Sequence, residues 1–316
     1  MNSEIYIQEQ EIVTLQHFYS LMDMSCEIRR QALSCLLNSR LEKALDYVQD
    51  LKNALTSLEQ IPGDGSGQKS GKLLKLDGSQ EVNVHLGYEI SEREKDIFYL
   101  QNNEDEFLSF LEKSNPGLEQ ETAQGLEFLK GRHFSCLVTD RDGTVNNYGG
   151  RYRSSVQSIY NAVFLTRFAQ SNADSPIIIT SGPLRNIGIL DVSITDQGSF
   201  IYAASKGREF MDLQGRIKRY PIEEEKQAIL DKLNARLKEK VSEPDYAKFA
   251  LIGSGLQFKF GQTTVARQDV SYSVEPEESK DFLETICALV HELDPRGENL
   301  RIEDTGLDIE IILTVG

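Results

Sequence analysis

The sequence predicts an α/β protein with a parallel-sheet core, an α+β cap inserted into that core, and a helical region in front. The core is read from one series: an apolar run at residues 134–139, a polar Gly-rich loop, an amphipathic stretch at about 154–168, and a second apolar run at 177–180. A strand, a crossover helix and a strand in that order imply parallel pairing. The cap is read from residues beyond Phe200, where short β-rich runs alternate with helical patterns. The helical region is read from residues 1–130, in which apolar side chains recur three and four apart.

Size and charge limit the function. With 316 residues and 39% hydrophobic content, the chain can build one large or two ordinary domains, each with its own core. No apolar run approaches the roughly 20 residues of a membrane span. The start Met1-Asn2-Ser3-Glu4 lacks the basic and apolar stretches of a signal peptide. A cytoplasmic location without membrane contact is therefore expected. The net charge of -16, with no basic patch, repels nucleic acid. Cys26, Cys35, Cys136 and Cys287 lack metal-site spacing and read as buried thiols, while His17, His85, His133 and His291 are scattered. Any chemistry is expected to rest on carboxylates and a hard cation.

Along the chain, Leu37, Leu41, Leu45, Val48, Leu51 and Leu55 form a near-heptad stripe that predicts a helical hairpin or small bundle. Residues 61–71 are rich in Gly and Ser and read as a flexible linker or loop. Leu73 to Leu76 and the alternating Val82, Val84 and Leu86 flank Asp77-Gly78, the expected turn of a hairpin. Ser91 and Glu94 are spaced as a capping box, and helical patterns follow at 107–111 and 118–129. Past the core series, strands are expected at 249–252, 256–260, 263–266, 300–302 and 309–315, with helices at 223–241 and 277–293. The division is 1–130 for the helical region, 131–205 for the core and 206–316 for the cap.

Asp140 directly follows the first core strand, where parallel sheets place their ligands. Asp140 and Asp142, two apart and followed by Gly143-Thr144 in a tight turn, can divide a two-step reaction. In that division Asp140 is expected to attack phosphorus, with Asp142 protonating the leaving oxygen and later activating water. Gly143 lets a phosphate approach the backbone.

The run Thr139-Asp140-Arg141-Asp142-Gly143-Thr144 resembles the first motif of the haloacid dehalogenase superfamily, whose core is Rossmann-like. The resemblance implies a phosphate-transferring enzyme with an aspartyl-phosphate intermediate. It also implies Mg2+ held by Asp140 and the backbone carbonyl of Asp142. Ile177-Ile178-Ile179-Thr180-Ser181-Gly182 resembles the second motif, and either Thr180 or Ser181 is its phosphate-binding hydroxyl. A finer resemblance, over residues 134–314, is to trehalose-6-phosphate phosphatase-like members. It rests on Ser181-Gly182-Pro183, Tyr202-Ala203-Ala204-Ser205-Lys206-Gly207, Lys259, Thr264-Val265-Ala266-Arg267 and Glu310. It implies that Lys206, Lys259, Arg267 and Glu310 face the sugar. Lys206 and Ala266 stand where those members carry His, so a related solute phosphate such as glucosylglycerol phosphate fits as well as trehalose 6-phosphate. In some bacteria such a phosphatase is fused to the glycosyltransferase that makes its substrate, which makes a glycosyltransferase an expected partner.

The third-motif lysine and the fourth acidic motif are not found. Asp304 and Asp308 have suitable spacing, but a strand pattern follows them where the family has a helix. Both motifs are therefore expected beyond Gly316 in a longer parent chain. The competing reading is an incomplete domain that binds a sugar phosphate or steadies a glycosyltransferase without turnover. The N-terminal helices are expected to serve assembly, with a further copy or with a partner.

Overall fold

The computed structural model describes residues 5–65, 67, 70–76, 80–146 and 150–314. Helix α1 (Leu15–Leu37) starts at Thr14, whose hydroxyl accepts from the His17 amide at 3.1 Å. It buries Leu15, Phe18, Met22, Ile28 and Leu33. Two helices follow, α2 (Leu41–Leu45) and α3 (Val48–Glu59). The expected leucine stripe is cut between α1 and α2. Ser39 takes a φ of 56°, the chain turns, and Leu41 and Leu45 are left 56% and 43% exposed. The hairpin forms as β1 (Gly71–Lys75) antiparallel to β2 (Glu81–His85), with Leu74, Val82 and Val84 buried. Its expected turn, Asp77-Gly78, lies outside the described residues. Part of the Gly/Ser-rich stretch is not free linker, because Leu73 donates to Pro62 O and Asp64 donates to Gly71 O.

Helix α4 (Gly87–Gln101) begins four residues before Ser91, so the expected capping box lies inside the helix. The chain enters α4 straight from β2 through the fully buried Leu86. Helix α5 (Glu104–Ser114) does carry a capping box, made by Asn103 and Glu106. Helix α6 (Leu118–Leu129) buries none of its residues, and Leu126 and Phe128 are 62% and 64% exposed.

The core sheet starts with β3 (Leu137–Asp140), crosses through α7 (Ile159–Asn172) to the parallel β4 (Pro176–Ile179), and continues through the short α8 (Ile189–Val192) to the parallel β5 (Ile201–Ala204). Two three-residue strands, β6 (Glu209–Met211) and β7 (Ile217–Arg219), extend it antiparallel in the order β3-β4-β5-β6-β7. The core therefore runs on to Arg219, and the boundary expected at residue 206 moves. β6 and β7 are too short to show a pattern, and β7 is exposed throughout. One sheet face packs Ile178, Tyr202 and Ala204 against Ala169 and Ile189. On the other face Val138 and Ile179 are 56% and 40% exposed. Among the described residues β3 is the sheet edge, so it is not the buried strand expected.

The cap is a four-stranded antiparallel sheet in the order β10-β11-β9-β8. It comprises α9 (Glu224–Lys240), β8 (Leu256–Lys259), β9 (Gln262–Ala266), α10 (Pro276–Leu293), β10 (Leu300–Asp304) and β11 (Asp308–Leu313). The strand expected at 249–252 is instead a 3-10 turn, Ala247–Ala250, with Phe249 stacked on Phe282 at 3.7 Å between ring centroids. A short apolar run reads alike as a strand or a buried turn. Of the four thiols only Cys26 and Cys35 are buried, and Cys136 is exposed. No described helix is long and apolar enough to cross a membrane.

Buried charges join the three parts. Arg29 of α1 meets Asp96 of α4 at 2.7 Å, and Asp96 also accepts the Ile159 amide that opens α7, at 2.7 Å. Arg151 of the core pairs with Asp269 of the cap at 3.2 Å, both fully buried. Tyr19 of α1 donates to Leu251 O of the cap at 2.6 Å. Burial pushes the Asp96 carboxyl up to about 6, against the opposing pull of Arg29. A carboxyl raised on folding adds stability below its unfolded value, and that stability is lost as pH rises through the folded value. The stability of the wild type relative to Asp96→Asn should therefore fall by about 1 kcal/mol between about pH 5 and pH 7. Denaturant titrations of both proteins at the two pH values measure it, and a flat difference would refute the assignment.

Candidate active site

The turn after β3 is tied at both ends. The Arg141 amide donates to Ile179 O on β4, and the amides of Val145 and Asn146 both donate to Arg141 O. The turn therefore closes tightly and needs Gly143 at a φ of 87°. A Cβ at Gly143 would meet nothing within 4 Å, so the side towards solvent is open. Its amide is already given to Asn146 O at 2.6 Å. Gly143 thus leaves the backbone open on that side and has no spare amide to donate.

The two aspartates are held differently. Asp140 ends β3 exposed, and no hydrogen bond or ion pair among the described residues engages its carboxylate. Asp142 is engaged on both oxygens. Oδ1 takes the Arg141 guanidinium, and Oδ2 accepts from the Thr180 hydroxyl at 3.1 Å. Arg141 is 2% exposed, also donates to Ser155 O, and lies over the Tyr152 ring at 5.0 Å. Burial pushes the Tyr152 phenol up to about 12, so it stays protonated.

Sequence reasoning missed Arg141 and Tyr152. A charge wedged between two motif aspartates was the available signal for Arg141, whereas the packing of Tyr152 against Gly182 had none. A Cβ at Gly182 would come within 2.8 Å of the Tyr152 ring, which explains that glycine.

The choice between Thr180 and Ser181 narrows on geometry. Thr180 is buried at the end of β4, and its hydroxyl donates to Asp142 and accepts from the Gly182 amide at 3.1 Å. Ser181 is exposed beside it, with its hydroxyl uncommitted.

Three of the four residues expected to face a sugar gather at the boundary of core and cap. Lys206 Nζ lies 2.6 Å from Glu310 Oε2, and Lys259 Nζ lies 3.7 Å from Glu310 Oε1. Burial lowers the Lys259 ammonium from its ordinary value, and Glu310 works against that. Lys259 lines a cleft of about 340 Å³ together with Arg185, Arg219 and Phe260. Arg267 does not join them. Its guanidinium grips Asp304 at 2.8 and 3.0 Å and donates to Ser279 at 2.9 Å, so its planar fork is consumed within the cap. The same fork holds the Asp304 carboxyl below the usual range. Asp304 and Asp308 flank the turn between β10 and β11, and Asp308 accepts from Ser254 at 3.0 Å.

Hard oxygen donors at the turn after β3 suit magnesium, which takes one or two protein oxygens and keeps several waters. The free Asp140 carboxylate fits that chemistry. With the Asp142 side chain committed, its main-chain carbonyl is the second donor available. Among the described residues no cluster of three His, Cys, Asp or Glu forms a fuller cage.

A family model described as "Trehalose-6-phosphate phosphatase, C-terminal" matches residues 137–316, and one described as "Trehalose-6-phosphate phosphatase N-terminal helical bundle domain" matches residues 14–117. The UDP-forming alpha,alpha-trehalose-phosphate synthase 2 of Caenorhabditis elegans is 32% identical over 324 residues, covering 97% of this chain and 26% of that protein. The trehalose-phosphatase of Brugia malayi is 29% identical over 339 residues, covering 97% of this chain and 68% of that protein. The chain thus spans about a quarter of the length of the synthases it matches. Among solved structures, the C-terminal domain of C. albicans trehalose-6-phosphate phosphatase aligns with a TM-score of 0.36 at 14% identity, over 58% of this chain and 57% of that one. On the match over residues 137–316, more than half of its length, the chain belongs to the trehalose-6-phosphate phosphatase family.

Proposed function

We propose that the chain is the core and cap of a magnesium-dependent phosphomonoesterase that dephosphorylates trehalose 6-phosphate through an aspartyl-phosphate on Asp140. One observation carries this reading: a free carboxylate ends a parallel strand beside a second carboxylate that is fixed on both oxygens. A carboxylate nucleophile needs an oxygen lone pair free to reach phosphorus, and an acid/base must be held in place. Asp140 attacks phosphorus as the bond to the sugar oxygen breaks, and Asp142 gives that oxygen its proton. Asp142 then takes a proton from a water that attacks phosphorus, which frees Asp140 and inorganic phosphate. Ser181 binds a phosphoryl oxygen while Thr180 keeps Asp142 in place. The Asp140 carboxylate and the Asp142 carbonyl would hold magnesium, which would supply charge neutralisation.

A second reading is favoured by the lack, among the described residues, of a group of three acidic side chains beside Asp140. In it the chain binds a sugar phosphate beside a glycosyltransferase and turns nothing over. Phosphate release from trehalose 6-phosphate and glucosylglycerol phosphate, with and without magnesium, separates the two. Turnover that requires magnesium and falls by about a thousandfold or more in Asp140→Asn supports the enzyme. Activity unchanged in that variant removes Asp140 as nucleophile. Binding without turnover by the wild type establishes the second reading.

The two hydroxyls should separate kinetically. Thr180→Val, which strips a donor from Asp142, should lower kcat by about tenfold to a hundredfold and shift the pH profile. Ser181→Ala should instead raise KM, by about tenfold. The reverse pattern would exchange their roles.

A further inference from the structure

Lys206 belongs to a turn under backbone strain. Ser205, Lys206 and Gly207 take φ values of 52°, 56° and 82°, three successive residues in the left-handed region, two of them carrying side chains. Such a run persists only where its surroundings hold it, and the contacts that do so point two ways. Towards the phosphate loop, the Ser205 amide donates to Gly182 O at 2.7 Å. Towards the cap, the Phe260 amide donates to Ser205 Oγ at 3.1 Å, and Arg208 donates to Gly261 O and Leu313 O at 2.7 and 3.0 Å. From the middle of this turn the Lys206 ammonium reaches Glu310 on β11, with Glu303 on β10 at 3.9 Å.

We infer that Lys206 is a positioning residue that acts through Glu310. It fixes the carboxylate that meets the sugar and, by the same contact, seats the cap on the turn beside the phosphate loop. The inference deepens the phosphatase reading and rests on it for the identity of the sugar. Lys206 and Lys259 each take one oxygen of Glu310, which leaves one lone pair per oxygen for a sugar hydroxyl. Lys259 is 7% exposed and belongs wholly to the cap, so it cannot report on closure. Lys206 stands on the core, and its bond exists only when the two bodies are together. One ion pair therefore contributes both to orienting the sugar-binding carboxylate and to seating the cap beside Ser181, together with the Ser205 and Arg208 contacts. Because Lys206 is 41% exposed, that pair is open to salt.

Amide hydrogen exchange on the full, substrate-free chain tests this without any turnover. Lys206→Met and Glu310→Gln should each speed exchange in segments 201–212 and 256–266 by about fivefold. The double variant should add nothing further, and Lys206→Arg should restore slow exchange. Unchanged exchange, or additive effects of the two single variants, would overturn the inference. With trehalose 6-phosphate, Lys206→Met should raise KM by about tenfold with a smaller change in kcat. A wild type that turns nothing over would refute the phosphatase reading and leave the exchange result to decide the role of Lys206.

Discussion

Asp96 is the point through which the helical region and the core become one body. Its carboxylate lies at the start of α7, accepts the Ile159 amide, and faces Arg29, which itself donates to Val156 O. A helix start buried without partners would leave amides unsatisfied, and here a residue from a different part of the chain supplies the acceptor. α7 is the crossover between β3 and β4, so its register sets where those strands end. The charges are costly to bury and worth keeping only while paired. That makes the joint specific: another apolar face could pack against α7, but it would not cap it.

The site repeats the pattern on a smaller scale. Asp142 is fixed by an arginine buried in the same turn and by a hydroxyl from the next strand, while Asp140, two residues earlier, has no side-chain partner among the described residues. The difference follows from topology. β3 ends one residue before Arg141, whose amide bonds across to β4, so the chain bends there and turns Asp142 back towards Thr180. The Arg141 side chain is pressed into the core over Tyr152, and its charge is balanced by Asp142. In the Gly-rich loop after β3, residues 141–146 are among the more constrained described residues of the core.

Much of this could be read from residue patterns. The parallel series, the helical front and the four cap strands all follow from periodicity. Asp140 and Asp142 follow from their place after an apolar run. What was not legible has identifiable causes. β6 and β7 are three residues each, below the length at which alternation shows. The leucine stripe from Leu37 to Leu55 has the right spacing but is cut by Ser39, whose left-handed backbone carries no sequence signature. Arg267 and Glu310 look equivalent as charged residues on cap strands, and only their partners, Asp304 for one and two lysines for the other, tell a structural ion pair from a group held ready. The exposure of β3 was misjudged because an apolar run reveals what it is suited to contact, not what lies against it.

That exposure has a mechanical consequence. A strand bonded on one side has half the ladder of an interior strand, and its outward amides and carbonyls face water. Asp140 stands at the end of such a strand, so its carboxylate inherits the fraying of a sheet edge among the described residues. On the proposed reading, accuracy at the phosphorus atom and stiffness of the sheet margin are then one property. Whatever lies along the outer margin of β3 tunes both, much as a clamp at the free end of a beam sets the pitch at its tip.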